Sequence, residues 1–295
     1  MPTVPLLPTV RRRRLGGLLR RLRTETPSEN GRGMSLDAAA AAMGWDPSKL
    51  SRIENAKAHI RPPDIARLLG LYRVTDDVVV AALEGLAKDA SKTGWWQTYS
   101  GIVAPGYADY IALESDALQV RAYAPLLVPG LLQTAAYARE TIAANAITRT
   151  PEEVVALAEV RQARQAVLSR PARPLKLWAV IEEAVLHRRF PDRPHLMRDQ
   201  LQRLIDASEM PGVTIQVMPL DATPHPGGAG AFDLVSFPAP MPAVVQFENL
   251  KGTTYVEGTD DIELYDDAFD RIVAAALPVG DSLTLVNRMK ERTSA

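Results

Sequence analysis

Cysteine is absent from the 295-residue chain. That excludes disulfides, cysteine-type zinc sites, iron–sulfur clusters and a cysteine nucleophile together. It agrees with a reducing cytoplasm, the compartment expected here. No apolar run approaches the ~18 residues that a membrane-spanning helix requires, so no membrane partner is expected. The basic start (Arg11, Arg12, Arg13, Arg14) is followed by neither an apolar segment nor a small-residue cleavage site. A secretory signal is therefore not expected.

Catalytic signatures are equally scarce. No two of His59, His187, His195 and His225 stand at helical metal-site spacing with a third ligand nearby, so no metal or other cofactor is expected. Gly227-Gly228-Ala229-Gly230 lacks the Gly-Lys-Ser/Thr of a phosphate cradle and leads into a strand, so it reads as a β-turn. No Gly-x-Ser-x-Gly nucleophile elbow occurs. Glu182 and Glu183 adjoin at a strand-to-helix junction, where successive helical side chains diverge by about 100° and do not share one acid–base site. These absences point away from an enzyme.

Net charge is also nearly absent, at −1, but its distribution is uneven. Residues 1–75 hold 14 Lys/Arg against 6 Asp/Glu, whereas residues 76–295 hold 20 against 29. A basic head on an acidic body implies that the head alone meets a polyanion.

Residues 1–10 carry three prolines and no helical pattern and read as a flexible arm. From Arg11, Leu15, Leu18, Leu19 and Leu22 recur at helical spacing, with a stop near Thr24. A turn-rich loop over 24–34 follows. A second helix opens at Ser35, an N-cap, with Asp37 suited to the helix dipole. Its body, Ala38 to Met43, is small enough for close packing, and Gly44 ends it. Asp46-Pro47 starts a third helix that runs to about Asn55 and buries Leu50 and Ile53. A fourth is expected at about 63–72 and a fifth at 76–88. Composition shifts near Ser91, and Trp95-Trp96 begins a second texture. Strands are expected at 117–124, 175–181, 213–218, 231–237 and 243–247. Helices are expected at about 131–145, 151–169, 182–189, 193–208 and 260–276.

Residues 35–55 carry the most information. Ala40 is small where two helices cross, Gly44 allows a left-handed turn, and Leu50 and Ile53 follow at helix-turn-helix core spacing. That arrangement projects the start of the third helix, the second of the pair, into a DNA major groove. The helix at 47–55 would read the operator with Ser48, Lys49, Ser51 and Arg52, Arg being able to grip guanine bidentately. Lys57, Arg61 and Arg11 to Arg14 would supply phosphate contacts.

Residues 15–73 resemble the XRE (Cro/repressor-like) family through Leu15-Gly16, Leu22-Arg23, Ala40 to Gly44 and the run Leu50-Ser51-Arg52-Ile53-Glu54-Asn55. The chain departs from that pattern with Ser35-Leu36 for Ser-Gln and with Ala56 for the glycine after Asn55. Glu54 is expected to brace the domain internally, because phosphate repels a carboxylate. The larger part resembles the C-terminal domain of an actinobacterial regulator family with WhiJ-like and antitoxin-like members. Its marks are Trp95-Trp96, Tyr110-Ile111, Leu113-Glu114, Pro129 to Thr134, Arg161, Arg164-Gln165, Glu182-Glu183-Ala184, Gln200-Leu201, Val213 to Pro219 and Gly230-x-Phe232.

The implied fold is multidomain α plus α/β. A flexible arm (1–10) leads into a five-helix lambda-repressor-like DNA-binding domain (11–90). A larger mixed-sheet α/β domain (94–285) and a tail (286–295) follow. The resemblance implies a transcriptional regulator that binds double-stranded DNA as a homodimer, on the nucleoid. Its C-terminal domain would respond to a small-molecule effector or a partner protein. The alternative is an antitoxin-like protein that neutralises a small partner encoded nearby. Within the body, Gln133 and Thr134 could face a pocket at a strand end or belong to a structural turn. Arg161 and Arg164 share a helical face and could bind an acidic partner or internal carboxylates such as Glu114. Trp95 and Trp96 could plug a domain junction or form an aromatic ligand box.

Overall fold

The computed structural model describes residues 10–27, 31, 33–89, 94–145, 149–250 and 252–293. The expected arm, apart from Val10, lies outside them. The chain divides into two compact units, Met1–Gln97 and Thr98–Ala295.

The first unit is helical. Its elements are α1 (Val10–Glu25), α2 (Leu36–Met43), α3 (Pro47–Glu54), α4 (Pro62–Leu71) and α5 (Asp77–Asp89). Local chemistry sets the boundaries around α2 and α3. Ser35 Oγ accepts the Ala38 N–H at 3.1 Å. Gly44 takes φ 68°, left-handed, so that the N–H of Trp45 reaches back to the Ala40 carbonyl at 2.8 Å. Asp46 Oδ1 accepts the Ser48 N–H at 2.8 Å, and Pro47 occupies the first helical position. Leu15, Leu19, Ala39, Ala40, Leu50, Ile53, Ile65, Leu68, Leu69 and Leu83 form the core.

Two neighbouring glycines of α1 have opposite surroundings. A Cβ on Gly16 would lie 2.6 Å from the Glu54 carbonyl oxygen and 2.7 Å from that of Ile53. The backbones of α1 and α3 therefore touch through this glycine. A Cβ on Gly17 would meet nothing within 4 Å.

The second unit is a mixed α/β structure. Its helices are α6 (Pro105–Asp116), α7 (Ala135–Asn145), α8 (Pro151–Ala163), α9 (Glu183–Leu186), α10 (Leu196–Ser208), α11 (Thr259–Ala275) and α12 (Val279–Arg292). Its strands are β1 (Gln119–Ala124), β2 (Lys176–Glu182), β3 (Val213–Met218), β4 (Phe232–Ser236), β5 (Val244–Asn249) and β6 (Gly252–Val256). They form one sheet in the order β3-β2-β1-β4-β5-β6. The first three strands are parallel and the last three antiparallel. Helical crossovers join the parallel strands, as that geometry requires. One core cluster packs Phe269 and Ile272 of α11 onto Tyr123, Val180, Phe232, Leu234 and Val245.

Several expectations change. Residues 131–145 and 151–169 are not continuous helices: a 3-10 turn covers Gly130–Leu132 and another covers Arg164–Leu168. The expected tail is folded, since α12 buries Val286 and Met289. The Val217 N–H donates to Ser282 Oγ at 2.9 Å, and the Leu277 N–H donates to the Val217 carbonyl at 2.9 Å. Leu277, just before α12, and Ser282 of α12 thus satisfy the outward backbone groups of Val217 on β3, an edge that an open sheet must protect. Neither α6 nor β6 was expected. Only five residues long and opened by Gly252, β6 gives a weak periodic signal.

Gly16→Ala should destabilise the first unit by about 1–3 kcal/mol, because the methyl group overpacks against backbone. Gly17→Ala should stabilise it by about 0.5–1 kcal/mol through helix propensity. Urea unfolding of the two variants checks this; shifts of the same sign would contradict the α1–α3 contact.

Candidate nucleic-acid interface

The turn from Gly44 to Asp46 aims α3 outward, and its buried stripe (Leu50, Ile53, Glu54) leaves a polar face. Ser48 and Arg52 are exposed on that face, while Lys49 and Ser51 are half-buried. Lys49 Nζ sits 3.8 Å above the Trp45 ring, which holds the ammonium at the start of α3. Arg52 Nε donates to the Ser48 carbonyl at 3.2 Å. Ser51 receives the Asn55 amide at its carbonyl, 2.8 Å away. Hydrogen bonds from Ser48, its hydroxyl first and then its N–H, hold the Asp46 carboxyl below the ordinary value. The four expected base-reading residues therefore lie together on one helix.

The expected phosphate contacts divide. Lys57 and Arg61 are exposed beyond α3. The arginine run behaves differently, because α1 already begins at Val10 and winds it around the helix. Arg14 falls on the core side and is 3% exposed, so it does not present the phosphate-binding surface expected of it. Arg11, Arg12 and Arg13 are half-buried and each engages other groups. Arg67 was not singled out in the sequence. It is exposed on α4, with Nη2 donating to the Met43 carbonyl at 3.3 Å, a cation beside the end of α2.

A buried ion pair holds this geometry. Arg23 Nε and Nη2 donate to the two Glu54 carboxylate oxygens at 2.7 and 2.9 Å, and Nη1 donates to the Met34 carbonyl at 2.7 Å. The side chains are 8% and 1% exposed. Glu54 raises the Arg23 pKa, chiefly through its hydrogen bond and against the opposing cost of burial. The internal role expected of Glu54 is what the structure shows. Ala56, where the XRE resemblance leads one to expect glycine, is left-handed at φ 59° with its methyl group buried.

In the second unit, the residues considered for a ligand or partner are held by neighbouring groups. The Gln133 side chain donates to the Val128 carbonyl at 2.7 Å and accepts from Arg161 Nη1 at 3.0 Å, so both ends of its amide are bonded. Its carbonyl accepts from Gln162 and Gln165. Thr134 Oγ1 accepts the Tyr137 N–H at 3.2 Å and so caps α7. Arg164 is buried, with Nη2 3.3 Å from Glu114 Oε1, and it stacks on Tyr110 and Tyr107. Of the alternatives for Arg164, the internal carboxylate holds. A Cβ on Gly130 would meet Arg164 Nη2 at 2.7 Å, which explains the glycine. Gln133, Thr134, Arg161 and Arg164 are therefore each tied to neighbouring groups of the unit. Trp95 and Trp96 meet edge to face at 5.9 Å, and the Trp96 ring packs over Gly94.

Around Arg164 lies a cluster that the sequence did not disclose. Tyr110 donates to Asp233 Oδ2 at 2.5 Å. Burial pushes the Glu114 carboxyl up to about 7, with Arg164 opposing the rise. Burial likewise pushes Asp233 up to about 6, against the Tyr110 hydrogen bond and Arg164. No cluster of three or more metal-ligating side chains occurs among the described residues.

Comparison with known families gives two matches. A helix-turn-helix domain model matches residues 14–83. A model described as a domain of unknown function, DUF5753, matches residues 107–288, more than half of the chain. No curated protein and no solved structure matches.

Glu54→Gln should destabilise the chain by about 3–5 kcal/mol, since it leaves Arg23 buried without a counter-charge. Removing the exposed Arg21–Glu25 pair by Arg21→Ala should cost only ~0.5 kcal/mol or less. Equal effects in urea melts would contradict the clamp. Glu114 and Asp233 have folded pKa values raised above their unfolded ones. The stability they contribute is full below about pH 4 and is lost as pH rises through about 6 to 7. Glu114→Gln should therefore flatten the fall in Tm between pH 5 and pH 8; an unchanged fall would assign the dependence elsewhere.

Proposed function

Because the chain belongs to the DUF5753 family and carries a helix-turn-helix domain, we propose that it is a sequence-specific transcriptional regulator of the XRE type. In this reading α3 enters the major groove, and Arg52 and Lys49 reach base edges, with Ser48 and Ser51 as shorter hydrogen-bonding partners. Lys57, Arg61, Arg11, Arg12 and Arg13 flank it as phosphate contacts. The supporting observation is the convergence of Ser48, Lys49, Ser51 and Arg52 on the polar face of a helix capped at both ends of its turn.

One helix of eight residues offers too few base contacts for useful specificity alone. The protein therefore acts as a homodimer, placing two copies of α3 one DNA turn apart, about 34 Å. The DUF5753 unit modulates that binding, and the work is done on chromosomal DNA in the cytoplasm.

Arg52→Ala should cost about 1–3 kcal/mol on the operator and relax base preference at the position it reads. Lys57→Ala should weaken operator and scrambled duplex alike and lower the salt slope by about one. Fluorescence anisotropy on both duplexes reads these effects. An Arg52→Ala protein that discriminates between duplexes as the wild type does would remove α3 as the reading helix.

A further inference from the structure

The parallel half of the sheet has a topological switch point that the proposed DNA-binding role does not use. The chain runs outward from β1 to β2 to β3, then crosses back to place β4 on the other side of β1. In sheets of this kind, ligands bind outside the carboxyl ends of the strands where the order reverses. Here that place is built from the end of β1 (Tyr123), the end of β2 (Glu182) and the loop 224–230 that enters β4.

Those groups are fixed. The Tyr123 hydroxyl donates to Glu182 Oε1 at 2.6 Å. The Gly227 N–H points at His225 Nδ1 at 3.2 Å, and His225 Nε2 lies 3.6 Å from Glu182 Oε1. The His225 and Tyr123 rings meet edge to face. A Cβ on Gly227 would lie 2.4 Å from the Tyr123 ring, so the glycine lets the loop close onto the strand. Of these groups His225 alone reaches an open cavity of about 590 Å³ that lies between the loop and α11. That volume falls within the range of small-molecule sites, roughly 300–1,000 Å³.

The lining defines the chemistry. Pro224, Pro226, Ala274 and Ala275 supply apolar walls, with Thr223 at one side. Arg271 of α11 is the lining cation; it is exposed, and no hydrogen bond or ion pair to another described residue holds it. A guanidinium fork without a protein carboxylate matches a planar or tetrahedral anion.

We propose that the cavity between the loop 224–230 and α11 is a binding site for a small organic anion, its carboxylate or phosphate head on Arg271 and its apolar body against Pro224, Pro226 and Ala274. The proposal deepens the reading of the DUF5753 unit as the modulating part by naming its ligand class. Binding is measured without DNA, so it stands or falls apart from the DNA reading.

The test is ¹⁹F NMR of 4-fluorobenzoate and 4-fluorophenyl phosphate with the full chain, with neutral 4-fluorobenzamide as the uncharged probe. Titrations with wild type, Arg271→Gln, Ala274→Trp and Arg198→Gln give the Kd values. The expected result is saturable binding of at least one anion. It should weaken tenfold or more in Arg271→Gln and in Ala274→Trp, and stay unchanged in Arg198→Gln, an exposed arginine on α10. The preferred anion then assigns the head group. Absence of saturable anion binding at 10 mM probe, on the order of the weakest specific sites, would overturn the proposal. So would equal binding by Arg271→Gln and wild type, or equal binding of the benzamide.

Discussion

The helix-turn-helix of this protein depends on a carboxylate and a guanidinium removed from water together. Arg23 and Glu54 join α1 to the last turn of α3, and the third Arg23 bond reaches the Met34 carbonyl just before α2. One side chain thus fixes three segments whose mutual angles decide where α3 points. Either charge alone would be costly in that setting, and together their bidentate geometry offsets the loss of water. The adjoining contact of Gly16 with the carbonyls at the end of α3 shows how closely the two backbones are drawn. Direction and distance are both set at the end of α3, leaving its outward face free for polar side chains.

The second unit uses the same device differently. Arg164 is buried between two tyrosine rings and a fully buried Glu114, and the turn at 130–134 is bonded to the residues around it. Asp233 on β4 and Tyr110 on α6 extend the cluster across the sheet. Here two carboxyls share one arginine, and burial raises both of their pKa values. The head is braced by a matched pair, whereas the body is braced by a cluster whose protonation changes near neutrality.

Much of the head was legible because each boundary has a local cause. Ser35, Gly44 and Asp46-Pro47 act within a few residues of their own position, and the leucines of α1 recur at helical spacing. The role of Glu54 could be argued from charge alone. The arginine run was misread because four adjacent arginines look like one patch, although a helix disperses them and buries Arg14. In the body, β1 to β5 were readable as β-branched and aromatic runs. By contrast, β6 is an edge strand too short for period-two alternation to register. α12 was missed because its burial comes from packing against distant elements. Long-range pairs such as Tyr110–Asp233, 123 residues apart, leave no mark in local spacing. The cavity beside Arg271 is equally non-local, since its walls come from a loop and a helix about fifty residues apart.

The central claim is that α3 enters the major groove. Dimethyl sulfate footprinting of the full chain on its own upstream DNA tests it most directly, because guanine N7 lies in the major groove and adenine N3 in the minor groove. The account predicts protection of guanine N7 in two patches about 10 base pairs apart, lost on a scrambled duplex. Protection confined to adenine N3, or none on any duplex that the protein binds, would contradict it.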